Sequence, residues 1–325
     1  MSVTGLGKQC NRIAQPSAKN PTIDKLLTKS SLPTYNLDRT WGGVGLVELG
    51  PNHYVNVREL GSSSPNAETL VFIHGLGSSL EYYAPLIQAA GLEDVHRIIL
   101  YDLEGQGLSP AHAHSTASLG TYVRDLELLL FHMKVRSATL VGWSLGGLIA
   151  MYFAQTHPSL VSRLVLLGPG GSPLPEPAVE LFTKRAALVR EQGMEASGIA
   201  KAVATAATSA LTKSSRPLSF SAVRQFLIST HPEGYAKGCI ALAKSRETVI
   251  SVESLKMPTL IIAGKDDVIS SMQLAENYKN RMVNSKLEVL EGVGHWHILE
   301  DLEATSRAVA GFLKPSAEGG HPTVK

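Results

Sequence analysis

The sequence predicts an α/β domain: a mostly parallel central sheet flanked by helices, with a helical cap inserted into it. Three observations carry this expectation. Apolar runs at 69–73, 96–101, 138–141, 163–167, 258–264 and 286–290 read as strands, several of them apolar enough for burial on both faces of a parallel sheet. Where they alternate with helix-length stretches, they imply βαβ units with right-handed crossovers. The alternation stops between 171 and 255, where Pro173, Pro175 and Pro177 open a segment with no convincing strand. Finally, Gly142-Trp143-Ser144-Leu145-Gly146 joins an apolar strand directly to a helix of small and apolar residues.

The chain divides accordingly into an N-terminal extension (1–42), a first core part (43–170), the helical cap (171–255), a second core part (256–314) and a tail (315–325). In the core, 45–49 and 53–60 read as a hairpin turning at Pro51-Asn52. The strand 69–73 ends in His74-Gly75-Leu76-Gly77-Ser78-Ser79, before a helical stretch to about Ala90. The strand 96–101 ends in Asp102-Leu103-Glu104-Gly105-Gln106-Gly107-Leu108-Ser109. From Ala117 to Met133, Leu119, Val123, Leu126, Leu129 and Leu130 fall on one helical face. Helical stretches 179–192, 194–211, 219–228 and 235–246 make up the cap, and 302–313 is the closing helix.

The junction at Ser144 has a chemical reading. A serine at the tip of a sharp strand-to-helix turn needs a strained backbone, and glycines at 142 and 146 keep the turn free of side-chain collisions. The helix N-terminus beneath it aims the Leu145 N–H at any oxyanion formed there. Two later strands also end in reactive residues, at Gly264-Lys265-Asp266-Asp267 and at Gly292-Val293-Gly294-His295. A serine hydroxyl becomes a useful nucleophile only when an imidazole takes its proton, and the imidazole needs a carboxylate to hold its tautomer. His295, behind two glycines, is the expected base. His297, leading into the last helix, is expected to be solvated or to stand behind the reacting groups.

These motifs resemble those of the α/β-hydrolase superfamily over about residues 43–314. The order Ser144, Asp267, His295 is that family's order of nucleophile, acid and base, and its G-x-x-D spacing selects Asp267 over Asp266. The resemblance further implies a second oxyanion donor at the N–H of Leu76, and structural duties for His74 and Asp102. In the cap, His231-Pro232-Glu233-Gly234-Tyr235-Ala236-Lys237-Gly238-Cys239-Ile240-Ala241-Leu242 is similar to the P-E-G-Y-A-x-x-C-x-A-L stretch of 3-oxoadipate enol-lactonases. Helix packing through Tyr235 and Leu242 is the plainer reading of that segment. An enol-lactonase-like function implies a small lactone or ester substrate opened through an acyl-enzyme. Such a lactone carries a carboxylate, so one cap cation, Arg224 foremost, is expected to turn inward over Ser144. Trp143 and Trp296 are expected either to line the acyl pocket or to pack beneath the cap. A carbon–carbon bond hydrolase of vinylogous diketones and a triad-retaining small-molecule receptor use the same residues and remain alternatives.

Composition narrows the classes. A net charge of +2, with basic residues scattered along the chain, gives no nucleic-acid signature. The apolar stretch 138–154 is shorter than the ~20 residues a span needs and is broken by Ser144 and glycines, so no membrane partner is expected. Cys10 and Cys239 lie far apart and indicate no disulfide framework, so a cytoplasmic location is expected. Lys8, Arg12, Lys19, Lys25 and Lys29 against Asp24 alone leave mitochondrial import as the alternative to a plain extension. Neither the His295/His297 pair nor the His112/His114 pair has metal-ligand spacing around it, and the chemistry calls for no cofactor or metal. A homo-oligomer is compatible with the sequence.

Overall fold

The computed structural model describes residues 45–112 and 115–314; the expected extension, the tail and His114 lie outside the described residues. The strands are β1 (Gly45–Gly50), β2 (His53–Gly61), β3 (Thr69–Ile73), β4 (Arg97–Tyr101), β5 (Ala138–Trp143), β6 (Val161–Leu167), β7 (Thr259–Gly264) and β8 (Ser285–Leu290). They form one sheet in the order β1-β2-β4-β3-β5-β6-β7-β8. The pairs β1–β2 and β2–β4 are antiparallel, and every pair from β4 to β8 is parallel.

Helices α1 (Ala84–Ala89), α2 (Leu119–His132) and α3 (Leu145–Thr156) belong to the first half of the core. Between β6 and β7 come α4 (Glu176–Ala196), α5 (Ile199–Ala207), α6 (Ala210–Ser215), α7 (Pro217–Ser229) and α8 (Pro232–Lys244). After β7 follow α9 (Met272–Arg281), α10 (His297–Glu300) and α11 (Leu302–Leu313). Strand β3 shows why the central strands are apolar throughout. Its Val71 and Ile73 join the apolar cluster holding α2 and α3, while Leu70 and Phe72 join the cluster with α1 and α11 on the opposite face. Helix α2 starts at a capping box between Ser118 and Thr121 and buries the five expected residues of its stripe.

Two expectations need correction. The stretch 194–211 is not one helix, because Gly198 takes a left-handed conformation (φ 72°) and Thr208 an extended one, leaving α5 and the start of α6 as separate pieces. Helix α9 was not expected at all; it buries only Ala275 and Tyr278, too few to mark an apolar stripe in a charged segment.

Helix α8 docks the helical insertion on the loop after β4. A Cβ on Gly234 would lie 1.6 Å from the carbonyl oxygen of Gly105, so the two backbones touch at the loop after β4. One turn on, the Lys237 ammonium meets Glu104 Oε1 at 2.7 Å, with both side chains buried. Ser115 Oγ and the His112 carbonyl complete the ammonium's shell. Removing one partner of such a pair typically costs about 3–5 kcal/mol, so the contact fixes where α8 sits.

Candidate active site

The sheet's strand order reverses at β3, with β4 on one side and β5 on the other. Loops leaving the carboxyl ends of β3 and β5 diverge there, at the kind of switch point where open α/β sheets bind ligands. Ser144 follows β5 in a strained conformation, φ 55° and ψ −115°, a region an L-residue keeps only when its surroundings force it. Here α3 starts hard against β3: a Cβ at Gly146 would come within 1.9 Å of the Ile73 carbonyl oxygen. Only glycine fits, and the close approach brings the loop after β3 beside the serine. Gly75 lies so near that a Cβ there would be 3.0 Å from Ser144 Cβ.

Three residues from three separate strand ends meet at this point. His295 Nε2 is 2.9 Å from Ser144 Oγ, and His295 Nδ1 is 2.8 Å from Asp267 Oδ2. Asp267 Oδ1 accepts the N–H groups of Ile269 and Ser270 at 2.8 and 2.9 Å, so both carboxylate oxygens are occupied. Burial alone would raise the Asp267 carboxyl, but the imidazole charge and hydrogen bond of His295 outweigh it and hold it below the usual carboxylate range. Asp266 is exposed, in keeping with the choice of Asp267.

Leu76 follows Gly75 in the loop beside Ser144 and Leu145 opens α3 directly after it, and neither N–H donates to another described residue. The loop carrying Leu76 is pinned from below. Gly77 N–H donates to Gln106 Oε1 at 2.7 Å, Leu80 N–H to Asp102 Oδ1 at 2.7 Å, and Leu103 N–H to His74 Nε2 at 2.9 Å. Burial lowers the His74 pKa, so the ring stays neutral and serves as an acceptor there, in line with a structural duty.

Arg224 stands elsewhere than expected, and the alternatives left open for Trp143, Trp296 and His297 are decided by burial. Arg224 does not turn inward: its guanidinium holds Glu195 on the outer side of the insertion, and both side chains are largely in water. Trp143 and Trp296 are fully buried in an aromatic cluster in which Tyr82 stacks on Trp143 and meets Trp296 edge-on, which leaves them no face toward a ligand. Trp143 instead donates its indole N–H to the His295 carbonyl at 2.9 Å, tying the His295 backbone to the strand that ends at Ser144. His297 is not solvated. It is wholly buried, its Nε2 accepts the Gly264 N–H at 3.2 Å, and burial pushes its pKa down to about 4.

Sequence reasoning also missed Glu300. This buried carboxylate accepts from Ser209 N–H and Thr212 Oγ1, both at 2.8 Å, and from Trp296 N–H at 3.1 Å, joining the insertion to the segment after His295. Nothing in its sequence neighbourhood marks it. Elsewhere, His53, Glu104 and Asp125 bring ligand-type atoms within 4.8 Å of one another. Lys237 already occupies Glu104, and His53 pairs with Asp125 at 3.2 Å, so an ion-pair network accounts for this cluster.

The buried His297 predicts a pH effect on stability. Its folded pKa lies below the ordinary 6.5, so its contribution is complete above pH 6.5 and is lost as pH falls toward about 4. Urea midpoints measured between pH 7 and 4 should fall in the wild type, and His297→Gln should flatten the part of that fall due to this group.

A model of the α/β-hydrolase fold family matches residues 68–302. The chain belongs to that family. It is 30% identical to 3-oxoadipate enol-lactonase 2 of Acinetobacter baylyi, over 75% of this chain and 88% of that one. It is 28% identical to the 2-hydroxy-6-oxononadienedioate/2-hydroxy-6-oxononatrienedioate hydrolase of Burkholderia vietnamiensis, over 83% and 94% of the two chains. Among solved structures, the enol-lactonase from Burkholderia xenovorans superposes with a TM-score of 0.73 at 24% identity, covering 83% of this hydrolase and 99% of that one. No helix among the described residues is long and apolar enough to cross a membrane.

Proposed function

We propose that this hydrolase opens a small lactone or cleaves a short carboxylic ester through a Ser144 acyl-enzyme. The observation that carries the reading is the unbroken line from Ser144 Oγ through His295 to Asp267. His295 Nε2 takes the seryl proton as Oγ bonds to the carbonyl carbon, and Asp267 stabilises the imidazolium that forms. The tetrahedral oxyanion then sits between the Leu76 and Leu145 N–H groups, each such donor being typically worth about 3 kcal/mol. On collapse, the carbon–oxygen bond to the leaving alkoxide or enolate breaks, and His295 returns its proton to that oxygen. A water deprotonated by the same imidazole attacks the acyl-enzyme, and a second collapse releases the carboxylic acid and restores the Ser144 hydroxyl. Side chains and backbone N–H groups supply every step.

The insertion acts in this reading as a cap over the serine. The A. baylyi relative and the α8 segment that resembles enol-lactonases support a lactone as substrate. A panel of lactones, short esters and vinylogous diketones offered to the purified protein tests the assignment. Turnover of lactones or esters, with diketones slower, is expected; cleavage of diketones alone would replace it with carbon–carbon bond hydrolysis.

A further inference from the structure

The basic residues of the insertion are almost all spoken for. Arg190, Arg224, Arg246, Lys184 and Lys237 each hold a carboxylate. Lys213 and Arg216 hold backbone carbonyls, and Lys201 and Lys244 are exposed. Arg185 is different. It is half-buried on the inner face of α4, next to buried Ala186 and Val189, and has no carboxylate partner among the described residues. Its guanidinium lies 5.6 Å from the centre of the Phe182 ring and interacts with the hydroxyl of Tyr235 on α8.

These neighbours connect Arg185 to the loop after β3. The sheet separates two apolar clusters, and Phe182 and Leu76 each pack against both. Both clusters include residues of the insertion, so Phe182 and Leu76 belong to the packing that joins it to the core, and Leu76 lies in the loop after β3, which meets Ser144 at Gly75. Tyr235 faces that loop as well: a Cβ on Gly77 would lie 3.1 Å from its ring. A Cβ on Gly238, one turn along α8, would lie 2.4 Å from Leu76 Cδ1. The chain of contact therefore runs from the oxyanion loop through Tyr235 to Arg185. Burial keeps the Tyr235 phenol protonated, so its hydroxyl is a donor beside the cation.

We infer that Arg185 and Tyr235 bind an anionic group of the substrate, so that the lactone or ester hydrolysed here carries a carboxylate away from its reacting carbonyl. A half-buried guanidinium without a counter-charge is costly when the site is empty and gains most from a carboxylate, which it meets with paired donors. The inference rests on the reading of Ser144 as nucleophile.

Two 4-nitrophenyl alkylphosphonates of equal chain length, one ending in a carboxylate and the other in its methyl ester, test both readings separately. The rate at which each modifies Ser144 is followed by intact mass in the full chain. The wild type should favour the acid. Arg185→Met should lower the acid-to-ester rate ratio by about tenfold or more, the usual loss for a hydrogen bond to a charged group. Tyr235→Phe should lower it less. Arg185→Lys, which keeps the charge, should restore part of the ratio and guards against a folding defect. Arg224→Met, removing a cation that faces Glu195, should leave the ratio as it is. A ratio unchanged in Arg185→Met, or a wild type that prefers the methyl ester, overturns the inference. Failure of both reagents to modify Ser144 removes the nucleophile, and this inference with it.

Discussion

Ser144→Ala should lower kcat on any lactone or ester substrate by up to about a millionfold, the scale set by removal of the nucleophile from other serine hydrolases. The residue is well suited to the test. Its side chain is only partly buried, and its strained backbone is held by the close approach of α3 to β3, which a methyl side chain leaves in place. The variant should therefore fold like the wild type and bind substrate with KM little changed. A kcat within about tenfold of wild type would mean that the bond-forming step does not pass through this oxygen.

The second large effect belongs to the carboxylate. Asp267→Asn should cost about 10⁴ in kcat, because an amide at that position favours the wrong imidazole tautomer. The two backbone N–H groups on Oδ1 should still hold the side chain in place, so the loss falls on chemistry rather than on the fold. Asp266→Asn, one residue earlier and exposed, should stay near wild type under the same assay. Equal losses in the two variants would show that the loop, not the carboxylate, matters. A loss confined to Asp266→Asn would move the acid to Asp266 and overturn the assignment to Asp267.

Much of the core was legible because its signals are local. The run 69–73 reads as a doubly buried strand and is one, and the closing helix has the expected bounds, 302–313. Ser144, Asp267 and His295 were legible for a related reason, since each sits at the end of an apolar strand and the topology gathers those ends. What escaped depends on contacts across the chain. Arg224 and Arg185 are alike as residues, and only the neighbours, Glu195 for one and Tyr235 for the other, tell them apart. His297 could be solvated or stand behind the reacting groups, and only the fold, which closes over it, decides between the two. Trp143 could be placed next to the serine, but not its hydrogen bond to the carbonyl of His295, 152 positions along the chain. The similarity of residues 231–242 to enol-lactonases now has packing reasons beside it, at Gly234 and Tyr235, while Lys237 and Gly238, which also pack on the core, fall on its unspecified positions.

The central claim is that Ser144 is a nucleophile activated by His295. A fluorophosphonate probe reports on this without knowledge of the substrate, because it phosphorylates a serine only where an imidazole takes the proton and an oxyanion pocket receives the developing charge. Peptide mapping of the labelled protein should place the adduct on Ser144, with labelling lost in Ser144→Ala and strongly slowed in His295→Ala. Labelling that persists in Ser144→Ala, or that maps to another residue in the wild type, would contradict the account.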